Sequence, residues 1–362
     1  MIKNIKKKIG VTVRSTSLIW SNGLNQNSYF LIKMLEKLGY QVDGVASKND
    51  KEEEMTLIDI PKIRLTEDNI KEYFLIIEVA FMIDLETELL CKKHGVKIIS
   101  VNYGNSLFYL MEGSLFKKDQ TTAVHREGVN TLISPHYEFG KKFLENTTRA
   151  KLGVIPYIWE PWFINGKLNQ SFKINSKYHE NVNKTKVASL EPNISIAKTC
   201  IVPLLIAENL HRKDESLITE MSLYGTKHLE ERENLKLIIK NTDLNRYNKI
   251  KLDYRFSIIR LFNENKIGTI ISNHYYNDLN YLTLEAFYLK YPIIHNSEFC
   301  KEAGYFYQNF DVKKASEKLE QAIKTDDHLD KKNIDASKEV LWKFSIHNPD
   351  VQAKYSALIK NI

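Results

Sequence analysis

Short apolar strands alternate with helices along most of the 362 residues, and this alternation restricts the possible folds more than any other feature. The pattern begins with a strand over Lys8–Arg14, continues with a helix that ends at Gly39, and returns to a strand over Gln41–Ala46. Two strands connected in this way run parallel with a right-handed crossover, so the sequence predicts an α/β protein with parallel sheets. The same alternation predicts strands over Leu57–Ile60, Tyr73–Val79, Val96–Val101, Val129–Ser134 and Lys151–Ile158, and helices over Asp84–Lys93 and Tyr137–Asn146.

The length predicts two domains, because a single hydrophobic core seldom grows beyond about 250–300 residues. Asn, Lys and Ser are frequent in residues 161–185, which are therefore predicted to link a first domain over residues 1–160 to a second domain over residues 186–340. Residues 341–362 are predicted to end in a helix with one apolar side. Elements predicted within the second domain include a strand over Lys186–Leu190 and helices over Ser195–Leu210 and Asp253–Asn263.

Composition limits the class of the protein and its compartment. With 43% hydrophobic and 27% charged residues, the chain is predicted to fold as a soluble globular protein. No apolar stretch reaches the roughly 18–20 residues of a membrane helix, and the amino end lacks the features of a signal peptide. We therefore expect a cytoplasmic location. The three cysteines are widely spaced and the histidines show no metal-ligand spacing, so neither a disulfide framework nor a metal site is predicted.

The net charge of +7 comes mostly from lysine. Such a charge favours anionic partners, which include nucleotide sugars, phospholipid-linked acceptors and DNA. The alternative explanation is a genome rich in A and T, whose codons favour Lys, Asn and Ile. The charge alone therefore selects no partner.

The segment Gly268–Phe310 carries the clearest candidate site. It predicts a strand, a polar loop over Ser272–Asn280, a helix stopped by Pro292, and a further strand. Ligands of open parallel sheets bind beyond the carboxyl ends of the strands, where helix amino ends attract phosphate groups. Glu285 lies in the first turns of the helix and could accept hydrogen bonds from two adjacent hydroxyls, as a ribose presents. The alternatives are a solvated turn and an exposed carboxylate favoured by the helix dipole. The loop side chains predicted to surround a ligand are His274, Asn277, Asp278, Asn280 and Tyr281.

The first half of the chain carries weaker candidates. The loop after the first strand lacks G-x-G-x-x-G, which argues against a dinucleotide-binding dehydrogenase. It does contain Asn22 and Gly23, which suit either an ordinary helix cap or the close approach of a ligand. The predicted strand that ends at Val101 is followed by candidate residues for the acceptor side, which are Asn102, Tyr103 and Asn105. A later loop contains His125, which is either a candidate base or a structural histidine.

Five stretches of the sequence resemble those of a known family: IWSNGLNQN, VIPYIWEP, LEPNISIAKT, SNHYYNDLNYL and YPIIHNSE. The last two, with Leu-Glu-Ala between them, resemble the donor-binding segment of GT-B glycosyltransferases. The chain is more similar still to a little-characterised, GT-B-like bacterial and phage family of unknown function. The resemblance implies two Rossmann-like domains that face a cleft, the first for an acceptor and the second for a nucleotide-sugar donor. It also implies that the C-terminal helix crosses back to the first domain.

The resemblance also implies roles for individual residues. In retaining GT-B enzymes two glutamates flank seven residues, and Glu285 matches the second of them, which binds the ribose. Asn277 stands at the position of the first, with Asp278 beside it, so a catalytic role falls on these two residues while the stereochemistry stays open. Lys198 matches a lysine that neutralises the donor diphosphate. The usual partner arginine is absent, and Ser189 or Glu191 stands near its place.

The function implied by the resemblance is the transfer of a sugar from a nucleotide-diphosphate sugar, most simply a UDP-sugar, to a hydroxyl acceptor. We expect retention of configuration, no metal and no cofactor beyond the donor itself. A surface or lipid-linked glycan is the first candidate acceptor, and a hydroxylated base of phage DNA is the second. The alternatives are a nucleotide-sugar epimerase of the same fold and a non-catalytic nucleotide-sugar-binding protein. Nothing in the sequence indicates an oligomeric state.

Overall fold

Two separate sheets of mostly parallel strands form the framework of the chain. The computed structural model describes residues 8–14, 23–51, 56–57, 59–116, 126–165 and 182–361, and of residues 56, 57, 262 and 263 it describes the backbone alone. The chain divides into two units. The first contains Met1–Glu160 and Phe344–Ile362, and the second contains Pro161–Lys343.

The strands of the described residues are β1 (Lys8–Thr12), β2 (Gln41–Val45), β3 (Thr56–Leu57), β4 (Ile60–Ile63), β5 (Tyr73–Glu78), β6 (Lys97–Asn102), β7 (Asn130–Ile133), β8 (Leu152–Val154), β9 (Asn183–Ser189), β10 (Glu220–Tyr224), β11 (Ile250–Asp253), β12 (Ile267–Ile271), β13 (Ile293–His295) and β14 (Tyr305–Phe306). In the first unit they form a sheet in the order β3-β4-β2-β1-β5-β6-β7-β8, and in the second a sheet in the order β11-β10-β9-β12-β13-β14. All pairs are parallel except β3 with β4.

The helices of the described residues are α1 (Gly23–Lys37), α2 (Leu85–Lys93), α3 (Ser106–Phe116), α4 (Lys141–Thr148), α5 (Trp162–Asn165), α6 (Ile201–Lys213), α7 (Glu233–Lys240), α8 (Asp243–Arg246), α9 (Ile258–Arg260), α10 (Tyr281–Tyr288), α11 (Val312–Lys324), α12 (Lys331–Lys343) and α13 (Pro349–Lys360), with a π-helical turn over Leu261–Asn265. Helices α1–α10 lie between successive strands, as parallel pairing requires, whereas α11–α13 follow β14. None of these helices is both long and apolar enough to cross a membrane.

In the first unit the C-terminal segment is fixed to the chain that follows β8. The N–H of Trp159 donates to the carbonyl of Phe344 (2.9 Å), and the carboxylate of Glu160 accepts from the hydroxyl of Ser345 (2.6 Å). On α13, the hydroxyl of Tyr355 donates to the carbonyl of Pro156 (2.7 Å). These bonds are buried or partly buried, so they tie α13 to the first unit.

In the second unit β12 lies in the middle of the sheet, and all five of its residues are buried. It is paired with β9 on one side and β13 on the other, with Ile270 opposite both Ala188 and Ile293. Gly268 permits this pairing, since a Cβ at that position would lie only 2.4 Å from the carbonyl carbon of Asn183. The central position of β12 places the loop after it next to the loop after β9.

Two predicted helices of the second unit are wrong in their bounds. The helix predicted over Ser195–Leu210 begins only at Ile201, because the preceding residues bond to a neighbouring loop instead. In the range Asp253–Asn263, Asp253 ends β11 and helical structure begins only at Ile258, where the hydroxyl of Ser257 caps the turn. In both cases residues that form a loop at the carboxyl edge of the sheet were predicted to be helical.

Candidate functional site

The loops that follow β9 and β12 lie side by side and form the candidate site. β9 continues into residues 190–200, and β12 continues into residues 272–280. The backbones of the two loops are connected, since Lys198 and His274 form an isolated antiparallel bridge. The N–H of Tyr275 also donates to the carbonyl of Ala197 (2.9 Å). Residues that are far apart in sequence are thereby brought into one place.

Glu191 connects the same two loops through its side chain, which is fully buried. One carboxylate oxygen accepts from the hydroxyl of Ser272 (2.6 Å), and the other lies 3.2 Å from Nε2 of His274. Burial by itself raises the pKa of the Glu191 carboxyl, but His274, Ser272 and the charge of Lys198 outweigh it and hold the net pKa below the usual value. Glu191 is therefore an ionised group that the protein itself satisfies.

His274 is the centre of this buried network. Its Nε2 lies 3.0 Å from Nδ2 of Asn280 and 3.1 Å from the hydroxyl of Ser272. Its backbone N–H and carbonyl are both bonded to the side-chain amide of Asn296, at 2.9 and 2.7 Å. A network satisfied in this way fixes the conformation of the loop. Three of the predicted donor-binding residues, Glu191, His274 and Asn280, therefore lie within one hydrogen-bond network.

Asn193 gives the loop after β9 its shape. Its backbone adopts a left-handed conformation (φ 55°), which asparagine tolerates better than most residues. Its side-chain amide donates to the carbonyl of Glu191 (2.6 Å), and its side-chain oxygen accepts from the N–H of Cys200 (2.6 Å) just before α6. Lys198 consequently lies in a compact loop and not on the exposed side of a helix.

The ammonium group of Lys198 is a half-buried cation of the site. Burial lowers the pKa of Lys198 to about 8, with Glu191 opposing this shift and the charge of Arg255 adding to it. At neutral pH the group is mostly protonated. It can therefore neutralise a phosphate, and because it is partly desolvated its charge is less screened than that of a surface lysine.

Glu285 differs from Glu191, although both are buried. It lies on α10, a helix whose residues Tyr281, Thr283, Leu284, Ala286 and Phe287 are also buried, so its carboxyl group points into the protein. The side chain is 6% exposed and accepts no hydrogen bond from any residue that the structure describes. Burial raises the pKa of Glu285 to about 8, and only the charge of Arg255 opposes the shift. This is the kind of perturbed carboxyl group that marks functional sites.

Arg255 is a site residue that the sequence analysis missed. It follows β11, and its positive charge acts on Glu191, Lys198 and Glu285. Its side chain is exposed, so it is accessible to a ligand. The signal that could have revealed it is the strand Ile250–Asp253, because recognising β11 places Arg255 directly after a strand at the carboxyl edge of the sheet.

The remaining predicted residues of the loop after β12 lie close to this centre. Asn277 and Tyr281 are buried, Asp278 is half-buried, and burial raises the pKa of Asp278. Asn280 also caps α10, since its side-chain oxygen accepts from the N–H of Leu282 (3.3 Å). The loop therefore offers amide, carboxyl and hydroxyl groups beside Lys198 and His274.

The predicted residues of the first unit belong to a different sheet. Gly23 is the first residue of α1, and Asn102 is the last of β6. Tyr103 is buried, and the side-chain oxygen of Asn105 accepts from the N–H of Phe108 (3.1 Å) at the start of α3. Asn22 and His125 lie outside the described residues. An acceptor role for these residues stays a prediction.

No group of three or more His, Cys, Asp or Glu side chains within the described ranges is arranged to hold a metal ion. His295 illustrates why a buried histidine need not be a ligand. Its Nε2 donates to the carbonyl of Ala303 (2.8 Å), and its Nδ1 accepts from the N–H of Ser297 (3.2 Å). Burial lowers the pKa of His295 to about 4, so it is a neutral structural group.

Solved structures with a similar fold include two that are described as glycosyltransferases. A glycosyltransferase from Rickettsia africae ESF-5 matches with a TM-score of 0.60 and 17% identity over 99% of this chain and 98% of that one. An α-glucosyltransferase in complex with UDP and a 13-mer DNA containing a HMU base matches with a TM-score of 0.58 and 12% identity, over 98% and 99%. Anabaena Alr3699/HepE in complex with UDP-glucose matches with a TM-score of 0.55 and 11% identity, over 98% and 100%. The α/β fold class of the GT-B type is thereby confirmed.

Three further comparisons concern a longer protein of similar fold, the curated proteins and a protein family. The chain spans 55% of the longer S. aureus TarM, at a TM-score of 0.49, which is too low to support an inference. No curated protein matches the chain in sequence. Residues 8–359 match the family described as "Protein of unknown function (DUF2827)", and the chain belongs to this family.

Proposed function

We propose that this protein is a glycosyltransferase that moves a sugar from a nucleotide-diphosphate sugar, with a UDP-sugar as the first candidate, to a hydroxyl group of an acceptor. The shared fold supports this class, since two of the matching proteins are in complex with UDP or UDP-glucose. The observation that carries the proposal is Glu285, which is 6% exposed and whose side-chain carboxyl group accepts no hydrogen bond from any described residue.

A buried carboxyl group without hydrogen bonds costs free energy in the unliganded protein. The fold nevertheless keeps Glu285 on α10, within reach of the charge of Arg255. Two adjacent ribose hydroxyls would donate to the two carboxylate oxygens, and charge-assisted bonds of this kind are strong. Ligand binding would thus supply the partners that the protein lacks, which is the arrangement expected of a nucleoside-binding group.

The diphosphate is assigned to Lys198 and Arg255. Each comes from a different loop at the carboxyl edge of the same sheet, and the charge of Arg255 acts on Lys198. Two like charges held near each other repel, so an anionic group between them would be favoured. The same cations would stabilise the negative charge that develops on the leaving diphosphate.

The transfer step needs no group beyond the substrates and these side chains. The bond between the sugar C1 and the diphosphate oxygen breaks, a bond between C1 and the acceptor oxygen forms, and the acceptor proton leaves with the diphosphate. We assign this step to the loop after β12, with departure and attack on one face of the sugar and without a metal or cofactor. The residues assigned to the surroundings of the sugar are His274, Asn277, Asp278, Asn280 and Tyr281.

Isothermal titration with UDP, GDP, CMP, dTDP and ADP tests the binding part of the proposal. We expect one nucleotide, UDP first, to bind the unchanged protein. We expect Glu285→Gln to weaken this binding by about 1.5–3 kcal/mol, the value of a hydrogen bond to a charged group. The matched control is Glu231→Gln, because the Glu231 side chain is 87% exposed. Equal affinity of the Glu285→Gln variant and the unchanged protein would remove Glu285 from the site.

Turnover is tested with the UDP-sugar that binds best. Release of UDP that depends on an added hydroxyl acceptor would support transfer. Conversion of the sugar without any acceptor would identify an epimerase instead, and binding without either reaction would identify a non-catalytic nucleotide-sugar-binding protein.

A further inference from the structure

Three aromatic rings lie together, partly exposed, at the outer side of the candidate site. Tyr275, Tyr276 and Phe310 are 38%, 51% and 44% exposed. The ring centroids of Tyr275 and Tyr276 are 4.8 Å apart, and those of Tyr275 and Phe310 are 5.4 Å apart. We call these three residues the aromatic platform. Exposed rings that cluster in this way are unusual on a polar surface and indicate a binding surface.

The aromatic platform is attached to the same hydrogen-bonded frame as the donor residues. The N–H of Tyr275 donates to the carbonyl of Ala197, directly before Lys198. The carbonyl of Asn309, directly before Phe310, accepts from the side-chain amide of Asn296 (3.2 Å), which also bonds to the backbone of His274. The platform and the proposed sugar position therefore belong to one structural unit.

The backbone supports the platform with strained conformations. Tyr276 has φ 47° and Asn309 has φ 55°, both in the left-handed region. A bulky residue such as tyrosine seldom adopts this conformation, and it persists only where the surroundings enforce it. The position of the Tyr276 ring is therefore fixed at an energetic cost, which a purely connecting loop would avoid.

We propose that the aromatic platform binds the acceptor, and that the acceptor is a neutral glycan whose sugar ring lies against the faces of Tyr276 and Phe310. This inference rests on the proposed glycosyltransferase function and names its acceptor class. The face of an aromatic ring carries negative charge density and attracts weakly positive groups such as the C–H groups of a pyranose. Contact with the apolar face of the sugar also removes exposed aromatic surface from water.

The charge around the platform favours a glycan over DNA. The two segments that carry the rings, residues 272–281 and 305–312, contain Asp278 and Asp311 but no lysine or arginine. Lys313 and Lys314 follow the second segment, and Lys198, next to Ala197, is assigned to the donor diphosphate. Proteins that stack bases of single-stranded DNA place aromatic rings in a positively charged groove, because the phosphates supply most of the affinity. A neutral or slightly acidic platform suits an uncharged sugar chain.

Saturation-transfer NMR in the presence of UDP tests the inference with three neutral disaccharides as probes: maltose, cellobiose and chitobiose. The test variant combines Tyr276→Asn with Phe310→Ala, since asparagine tolerates the left-handed backbone and preserves the loop. The control is Leu237→Ala, which truncates an apolar side chain that is 59% exposed on α7. A 13-mer DNA with a hydroxymethylated base is the competing probe.

We expect at least one disaccharide to bind the unchanged protein and the control in the millimolar range, and to bind the double variant roughly tenfold more weakly, a factor that corresponds to about 1.4 kcal/mol. UDP affinity is expected to be the same in all three proteins. Equal disaccharide binding by the double variant, or no disaccharide binding by the unchanged protein, overturns the inference. DNA binding that is lost in the double variant also overturns it, in favour of base stacking. If the unchanged protein does not bind UDP, the proposed function is rejected. The disaccharide result would still show whether the aromatic platform binds a sugar.

Discussion

Two of the buried carboxyl groups, Glu78 in the first unit and Glu285 in the second, lie near the carboxyl edges of their sheets and have different surroundings. Glu78, the last residue of β5, is 3% exposed and accepts two bonds from Nη1 of Arg126, at 2.8 and 2.6 Å. It also accepts from the N–H of Ile83 (2.9 Å) and from the hydroxyl of Ser100. Glu285 is buried to a similar degree, yet its side chain has no hydrogen-bond partner in the described part of the chain.

This difference separates a structural carboxylate from a candidate binding group. Folding itself satisfies Glu78, whose charge is compensated by Arg126 and fixed between strands. The fold supplies no hydrogen bond to the Glu285 side chain, and carboxyl groups whose pKa is raised by burial cluster at functional sites. Burial alone therefore does not identify a site; the number of partners that the fold supplies does.

The largest expected effect concerns the satisfied carboxylate. Replacing Arg126 by leucine leaves both Glu78 and Glu88 without the guanidinium that now bonds them, at 2.6 and 2.8 Å respectively. Breaking a buried ion pair from one side typically costs about 3–5 kcal/mol. We expect a loss of this size in the free energy of unfolding, measured by urea denaturation of the whole chain.

The double variant Glu78→Gln with Arg126→Leu is the matched control. It removes the charge of Glu78, whereas Glu88 keeps its ion pair with Lys92 (3.0 Å), so it should recover part of the stability that Arg126→Leu loses. If Arg126→Leu unfolds at the same urea concentration as the unchanged protein, Glu78 is not stabilised by its partners and the contrast with Glu285 disappears.

A smaller effect of opposite sign is expected for Glu285. Its pKa is raised in the folded protein to about 8 from 4.5, so its contribution to stability is lost as the pH rises between these two values. Glu285→Gln removes the ionisable group and should stabilise the unliganded protein by roughly 1–3 kcal/mol at pH 8, and much less near pH 5. Thermal unfolding at the two pH values measures the difference. A variant that is less stable than the unchanged protein at pH 8 would show that the fold does satisfy this carboxyl group.

The sequence predicted much of the frame around Glu285 but not its electrostatic surroundings. The strand–loop–helix order from β12 to β13 followed from local pattern, because an apolar run, a polar loop and Pro292 are all visible in the sequence. The position of Lys198 beside the loop after β12 could not be predicted from local sequence pattern. It depends on Asn193 in a left-handed conformation and on pairing with a loop more than 70 residues away.

Arg255 shows a second limit of the sequence analysis. β11 is only four residues long and partly exposed, so it carries little apolar signal, and the segment after it was assigned to a helix. Arg255, whose charge opposes the rise in the pKa of Glu285, thus follows a strand that the sequence pattern did not reveal. The loops that follow short edge strands are therefore difficult to predict from sequence, whereas the loop after a central, apolar strand such as β12 is easier to predict.

The smallest expected effect is a pH dependence of ligand affinity. It tests the contrast between Glu285 and Glu78, because only the carboxyl group without protein partners should change its protonation when the ligand binds. The pKa of Glu285 and that of Lys198 are both about 8 in the unliganded protein, raised by burial in the first case and lowered by burial in the second. Below pH 8 Glu285 must release a proton before it accepts two ribose hydroxyls, so affinity should rise toward pH 8. Above pH 8 Lys198 loses the charge that faces the diphosphate, so affinity should fall.

The affinity for UDP-glucose, whose diphosphate does not titrate in this range, is therefore expected to peak near pH 8. Each limb should change by at most about tenfold per pH unit, or about 1.4 kcal/mol, when followed by titration calorimetry from about pH 6 to about pH 9. Glu285→Gln should flatten the acid limb, and Lys198→Arg should flatten the alkaline limb, because arginine keeps its charge. A flat profile in the unchanged protein would mean that neither group contacts the ligand. Glu285 would then be a structural carboxyl group like Glu78, with fewer hydrogen bonds.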